Sequence, residues 1–168
     1  MDCRQALTNG LDVSGSVDGE EYQLKRDELT ATLLQPEVRA AFLHSPSAPV
    51  ASAIFEWSGM LNQGLIPSWT LINSPAALTG AADRMRRTSR HSAARSTAIG
   101  KALGWGERPL AERGACWQAT PDLTDNGTSN DGPRPRQVVI GEVTVNALAI
   151  GIGASVRLDH AETDQAGR

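Results

Sequence analysis

Two hydroxyls and a carboxylate alternate in one short segment near the start of the chain. It reads Asp12-Val13-Ser14-Gly15-Ser16, so Asp12, Ser14 and Ser16 can face one space if the backbone turns. Oxygen ligands at this spacing suit a small hard cation such as Mg²⁺, which takes about six oxygens at roughly 2.0–2.1 Å. Asp, Ser and Gly also build ordinary strand-to-helix turns. The segment alone therefore supports either a metal site or a simple turn.

The composition is that of one globular domain with a core. The chain has 168 residues, 40% of them apolar, and a net charge of −3, so no overall field attracts nucleic acid or an anionic membrane. The basic cluster at 84–95 has no interleaved aromatic residues for base stacking, and we interpret it as cations at a helix end and in a loop. No run approaches 18 apolar residues, so none spans a membrane.

The ends and the cysteines leave more than one interpretation. Residues 1–10 lack the apolar stretch of a secretory signal, so we expect either a cytoplasmic protein or a chain without its true start. Cys3 and Cys116 have no metal-type spacing, and one disulfide or two free thiols are equally compatible with the sequence.

Helix and strand signals alternate along the chain. We predict helices over about 18–34, from Pro36, from Asn73-Ser74-Pro75, over about 96–113 with Ser96 or Thr97 as the cap, and a short one over 136–141. We predict strands over 50–57, over 65–72 at a sheet edge because of Pro67, over 116–125 as a poor strand interrupted by Pro121, and over 143–151. The segment 5–11 is at best a poor strand, since Asn9-Gly10 is a turn dipeptide.

This alternation predicts an α/β fold: a three-layer sandwich with a mostly parallel central sheet flanked by helices. In such sheets ligands bind at the carboxyl ends of the strands. Three polar loops qualify, at 12–16, 95–97 and 124–131.

The three loops together resemble the von Willebrand factor type A (vWA) domain and its metal-ion-dependent adhesion site, or MIDAS. More closely, the chain resembles an uncharacterised bacterial branch of that superfamily, DUF1194. The phrases that carry the resemblance are Asp12-Val13-Ser14-Gly15-Ser16-Val17-Asp18, Phe55-Glu56-Trp57-Ser58-Gly59, Trp69-Thr70-Leu71-Ile72, Thr97-Ala98-Ile99-Gly100, Asn130-Asp131-Gly132-Pro133-Arg134-Pro135 and Val143-Thr144-Val145-Asn146-Ala147-Leu148-Ala149-Ile150-Gly151.

The resemblance implies a binding module and no enzyme. Ser14 and Ser16 would bind Mg²⁺ or Mn²⁺ directly, and Thr97 directly or through water. Asp12 would act mainly by orienting waters and hydroxyls. One coordination position would stay open to a carboxylate of an acidic partner protein. Domains of this branch are typically exported, so the resemblance leaves the location of this chain open, as it leaves the oligomeric state.

The third loop departs from the resembled pattern. The branch usually reads Ser-Gly-Asp-Gly, whereas this chain reads Thr124-Asp125-Asn126-Gly127. Asn126 stands where the acidic residue belongs, and the adjacent Asp125 is the expected substitute as a metal ligand. A decayed or purely structural domain without the ion is therefore the alternative function.

The ends of the chain also depart from the pattern. The usual apolar first strand is weak, and the usual last strand and helix do not follow Gly153. We expect a diverged N-terminal segment at 1–10, the vWA-like domain at 11–153 and a frayed tail at 154–168, with both ends truncated or diverged.

Two enzyme interpretations are weaker. Asp12 after a strand superficially resembles phosphoryl-transfer enzymes of the haloacid dehalogenase type, but these need a second Asp two residues later as general acid, and Ser14 is there. A serine hydrolase would need a Gly-x-Ser-x-Gly elbow around its nucleophile. The three histidines, His44, His91 and His160, have no triad context and are expected at the surface.

Overall fold

A computed structural model of the chain describes residues 3–66, 69–91, 93–113, 116–125, 128–139, 141 and 145–149. The elements in these ranges are β1 (Cys3–Asp12), α1 (Gly19–Leu33), α2 (Pro36–Leu43), β2 (Val50–Trp57), β3 (Gln63–Leu65), β4 (Thr70–Ile72), α3 (Pro75–Arg86), α4 (Ile99–Arg113), β5 (Cys116–Asp125), a 3₁₀ helix (Pro135–Gln137) and β6 (Asn146–Ala149).

The strands form one sheet in the order β3-β2-β1-β5-β6, with β4 also paired to β2. β1 runs parallel to β2 and β5, and β5 runs parallel to β6. The short strands β3 and β4 are antiparallel to β2. The mostly parallel sheet of the predicted α/β sandwich is confirmed.

Helices cover both faces of this sheet. α4 packs on one face and contacts β1 and β5, while α1, α2 and α3 contact one another on the other. The buried cluster under α4 contains Phe55, Trp57, Ile99, Ala102, Leu103, Leu123 and Val145. The clusters under the other helices contain Leu11, Val13, Val17, Tyr22, Ile54 and Met85, and Leu33, Phe42, Val50, Ile72 and Leu78. Burial of these side chains, at about 1.5–3 kcal/mol each, fixes the layers.

Local capping signals set the helix starts. The Asp18 carboxylate accepts hydrogen bonds from the backbone N–H groups of Glu20 and Glu21 at 2.9 and 2.8 Å, as a cap residue does. Ser74 Oγ accepts from Ala77 N at 3.2 Å, and Pro75 occupies the first turn of α3. The predicted starts of α1, α2 and α3 are confirmed.

The first strand contradicts its prediction. β1 is ten residues long and lies at the centre of the sheet, although Asn9-Gly10 indicates a turn. Gly10 is opposite Phe55 on β2 and Leu123 on β5, and those two side chains occupy the space where a Cβ would be. The glycine is required by this close approach, which is set by the tertiary fold.

Two further strand predictions need correction. β5 is continuous through Pro121. Among the described residues, β6 pairs with β5 only from Asp122 onward. Pro121 therefore lies where β5 lacks its second neighbour among the described strands, a position that tolerates the missing N–H of a proline. The single edge strand expected over 65–72 is two short strands, β3 and β4, and Pro67 lies outside the described residues.

The C-terminal predictions are tested only in part. The helix expected over 136–141 is a 3₁₀ turn at Pro135–Gln137, and the last strand is described over Asn146–Ala149. The tail predicted over 154–168, which includes His160, lies outside the described residues. None of the described helices has both the length and the apolar composition that a membrane crossing needs.

A disulfide decides between the alternatives for the two cysteines. Cys3 and Cys116 are directly opposite each other on β1 and β5, with a Cα–Cα distance of 4.5 Å, and their sulfurs are bonded. The bond joins the starts of β1 and β5, at the end of the sheet opposite to the polar loops. Such bonds persist in oxidising compartments.

Candidate functional site

The parallel register places the ends of three strands at one edge of the sheet. Asp12 at the end of β1 is opposite Trp57 at the end of β2, and Leu11 is opposite Thr124 on β5. The loops that follow these strands therefore start side by side. This is the edge where parallel α/β sheets bind ligands.

The first predicted loop turns back over the end of β1. Asp12 Oδ1 accepts a hydrogen bond from Ser14 N at 2.8 Å, a short side-chain-to-backbone bridge that shapes the turn. Both side chains are fully buried, whereas Ser16 is exposed. Ser14 Oγ has no hydrogen-bond partner among the described residues. A buried hydroxyl without a partner costs free energy, so this oxygen fits a site for a ligand.

The second predicted loop is bonded to the first. Gly15 N donates to Arg95 O at 3.3 Å. A Cβ on Gly15 would lie 2.7 Å from Arg95 Cα and 2.8 Å from Arg95 O, closer than real Cβ contacts. Arg90 Nη2 also donates to Val13 O at 2.7 Å. The loop with Ser14 and Ser16 and the loop with Thr97 are therefore in direct backbone contact, as the sequence predicts.

Thr97 lies just before α4 and is 5% exposed. Its N–H donates to Asn130 Oδ1 at 2.9 Å, and its carbonyl accepts from the backbone N–H groups of Asn130 and Asp131 at 2.9 and 3.2 Å. Segment 128–134 is therefore hydrogen-bonded to both the backbone N–H and the backbone carbonyl of Thr97.

The acidic position of the third loop is only partly described. Asp125 is the last residue of β5, so its backbone reaches the same edge as Asp12. The Asp125 side chain and the whole of Asn126 lie outside the described residues. Their metal-binding roles remain predictions.

Asp131 is a site residue to which the sequence assigned no role. Its Oδ2 accepts hydrogen bonds from Ser96 Oγ at 2.8 Å and from Met60 N at 3.2 Å. The Ser96 hydroxyl and then the Met60 N–H lower the pKa of this carboxyl below its usual range. The signals in the sequence were its position in the third polar loop, 124–131, and in a phrase shared with the resembled family.

A second polar cluster lies beside the first loop. Glu56 on β2 is 2% exposed, and its Oε2 contacts His91 Nδ1 at 2.6 Å and His91 N at 3.0 Å. Glu56 and His91 line a cavity of about 270 Å³ together with Val13, Leu61, Asn62, Gln63 and Gly64. His91 is at the surface as predicted, with a side chain 60% exposed, but its contact with a buried carboxylate was not predicted.

Tyr22 on α1 joins this cluster from the core side. Burial, and then the neighbouring Glu56 carboxylate, raise the pKa of its hydroxyl from 10.0 to about 12. The folded state therefore favours the neutral phenol. The contribution of this group to the free energy of unfolding is fully present below pH 10 and is lost as the pH rises from 10 toward 12.

Titration of Tyr22 can be followed directly, because the chain has a single tyrosine. We expect the tyrosinate absorbance of the folded protein to rise with a midpoint near pH 12 and that of the protein in denaturant near pH 10. Far-UV circular dichroism at each pH shows which points report the folded state. A midpoint near 10 in the folded protein would contradict the burial of this hydroxyl.

Residues 2–163 match the family described as "Protein of unknown function (DUF1194)". The chain belongs to this family. The match covers nearly all of the sequence and confirms the resemblance stated from its motifs. No protein among those with curated descriptions matches the sequence.

Several solved structures, among them von Willebrand factor type A proteins, are similar to this chain. Proximal thread matrix protein 1 from mussel byssus, in a structure with a zinc-occupied MIDAS motif, has a TM-score of 0.66 and 16% identity over 97% of this chain and 42% of its own. A von Willebrand factor type A protein from Catenulispora acidiphila gives 0.64 and 16% over 98% and 37%. BatB from Bacteroides thetaiotaomicron gives 0.61 and 11% over 98% and 86%.

These likenesses establish the fold. This DUF1194 chain has the α/β architecture of vWA domains, with its central sheet flanked by helices. It spans less than half the length of the mussel protein.

Proposed function

We propose that this DUF1194 domain is a protein-binding module that grips Mg²⁺ or Mn²⁺ and, through the ion, an acidic group of a partner protein. The observation that carries the proposal is Ser14 Oγ, a buried hydroxyl with no hydrogen-bond partner among the described residues, in the loop bonded to the Thr97 loop.

The donor set at this edge fits a hard divalent ion. Ser14, Ser16 and Thr97 would hold the ion through hydroxyl oxygens, with Asp125 as a further ligand. Asp12 already shapes the loop through its bond to Ser14 N, so its role is to orient that hydroxyl and waters. In the described part of the chain, no three His, Cys, Asp or Glu side chains form a metal-binding group.

The ligand set explains the choice of partner. An ion held mainly by neutral hydroxyls keeps most of its positive charge and attracts a carboxylate. The residues of this chain bind and orient the ion, and the tight backbone contact between Gly15 and Arg95 keeps their loops together. No step of this role requires a chemical conversion.

One observation favours the alternative of a structural domain without the ion. Asn126 supplies an amide where the resembled pattern has a carboxylate. Loss of that charge weakens a cation site, because an amide oxygen accepts hydrogen bonds from water but adds no negative charge.

Calorimetric titration of Mg²⁺ and Mn²⁺ into metal-free protein separates the two functions. We expect saturable binding that is lost in the double variant Ser14→Ala and Ser16→Ala. The matched control is Ser45→Ala with Ser47→Ala, two serines of the turn before β2, which should bind like the wild type. A folded wild-type protein that binds neither ion would establish the structural alternative.

The acidic partner is tested with the same proteins on immobilised polyglutamate. We expect retention in Mg²⁺ and release by a chelator for the wild type and the control, but no retention of the double alanine variant. Equal retention with and without Mg²⁺ would contradict recognition through the ion.

A further inference from the structure

Arg95 lies directly against the loop that carries Ser14 and Ser16. Its carbonyl accepts from Gly15 N at 3.3 Å, and its Cβ lies 3.0 Å from the place where a Cβ on Gly15 would be. The side chain therefore begins next to the residue between the two serines. It is exposed, and Thr97 follows it by two positions along the second loop. A positively charged side chain thus borders the proposed metal ligands.

The other arginines of segment 84–95 have a structural reason for their positions. Three of them lie at the C-terminal end of α3, where the helix dipole favours cations: Arg84, Arg86 and Arg87. Arg90 Nη2 donates to Val13 O at 2.7 Å and so supports the first loop. Arg95 has neither role, since it precedes α4, which begins at Ile99 with the positive end of its dipole.

No carboxylate in the described part of the chain forms an ion pair with Arg95. The carboxylate of Asp131 contacts the neighbouring Ser96, but it accepts from that hydroxyl and from Met60 N. A positive side chain beside a cation site weakens metal binding, because like charges repel. This cost is offset when an anionic ligand contacts both the ion and the side chain.

We propose that Arg95 determines the specificity of this surface: its guanidinium binds a second carboxylate of the partner, next to the carboxylate that binds the ion. The partner is then an acidic segment with two neighbouring carboxylates. A guanidinium suits this role because it donates two parallel hydrogen bonds to one carboxylate. The inference rests on the proposed function and narrows the class of partner.

The test uses two synthetic tetrapeptides and the full chain saturated with Mn²⁺. One peptide has two adjacent glutamates, and in the other the second glutamate is replaced by glutamine. We expect the wild type to bind the first peptide about tenfold more tightly, as one additional charged hydrogen-bonded contact allows. In Arg95→Gln this preference should fall below about twofold, while the peptide with one glutamate should bind within about twofold of its wild-type affinity.

The Mn²⁺ affinity without peptide is the second readout. Arg95→Gln should bind the ion up to about threefold more tightly than the wild type, because a nearby positive charge is removed. If Arg95 instead only held the loops together, metal and peptide binding would both weaken, and the proposal would be wrong.

The matched control is Arg39→Gln, which removes the same charge from α2. The end of this helix contacts the start of β1, where Arg4 Nη2 donates to Phe42 O at 3.3 Å, so Arg39 is remote from the polar loops. The control should bind Mn²⁺ and both peptides like the wild type. Circular dichroism at the titration temperature verifies that each variant is folded.

The outcomes separate this inference from the proposed function. Equal affinity of the wild type for the two peptides would overturn the second carboxylate, whether or not the variant folds. Equal weakening of both peptides in Arg95→Gln would also overturn it, because Arg95 would then act on the ion-bound carboxylate. Either result would leave the metal site and its acidic partner in place. If the wild type binds no Mn²⁺, or binds it but neither peptide, the proposed function fails and this inference fails with it.

Discussion

Gly15→Ala is expected to weaken Mg²⁺ and Mn²⁺ binding by roughly tenfold or more and to lower the free energy of unfolding by about 1–3 kcal/mol. The added methyl group would meet Arg95 Cα at 2.7 Å and Arg95 O at 2.8 Å. These are backbone atoms, so a side-chain rotation cannot relieve the contact. The loop with Ser14 and Ser16 must then move away from the loop with Thr97, and the predicted ligands separate.

Gly64→Ala is the matched control for this substitution. Gly64 lies on the short strand β3, and a Cβ there would have no atom within 4 Å. Its stability should change by less than about 0.5–1 kcal/mol, and its metal affinity should not change. Calorimetric titration and chemical denaturation of both variants give the two quantities. Metal binding by Gly15→Ala at wild-type affinity would contradict the shared site of the two loops.

The helix starts could be predicted from the sequence because their causes are local. Asp18 and Ser74 cap helices whose first turns are the next residues along the chain, and Pro75 is already set for a first turn. A cap is formed by neighbours in sequence, so the sequence contains all of the information needed to recognise it.

The strand errors have causes that are distant in sequence. Gly10 indicates a turn by itself, but its place in β1 is explained by Phe55 and Leu123, which approach from the two neighbouring strands. Pro121 is tolerated in β5 because of where the pairing with β6 begins. Propensity describes a residue in isolation, whereas in these two strands the packing of the sheet determines the local structure.

The candidate site also contains some features that the sequence predicts and others that it does not. The meeting of the Ser14 and Thr97 loops follows from parallel strands whose carboxyl ends share an edge, so the sequence predicts it. The contacts of Asp131 with Ser96 and of His91 with Glu56 each join residues 35 positions apart. No local pattern marks such pairs, and only the folded structure shows them.

The pair of His91 and Glu56 gives the second prediction with a large effect. His91→Ala is expected to lower the free energy of unfolding by about 2–3 kcal/mol, because it removes the ring that contacts a carboxylate only 2% exposed. The His91 N–H remains as a donor and the ring is 60% exposed, which keeps the loss below that of a fully buried pair. Chemical denaturation near neutral pH measures the change.

His44→Ala is the control, since the His44 ring contacts only the neighbouring Ser45 side chain among the hydrogen bonds described, and its loss should cost less than about 0.5 kcal/mol. Adding Glu56→Gln to His91→Ala should recover more than half of the lost stability, because the neutral amide leaves no buried charge. If the double variant is no more stable than His91→Ala, the cost comes from the packing of the loop before α4 and not from the carboxylate. A His91→Ala protein as stable as the wild type would show that the backbone N–H alone satisfies Glu56.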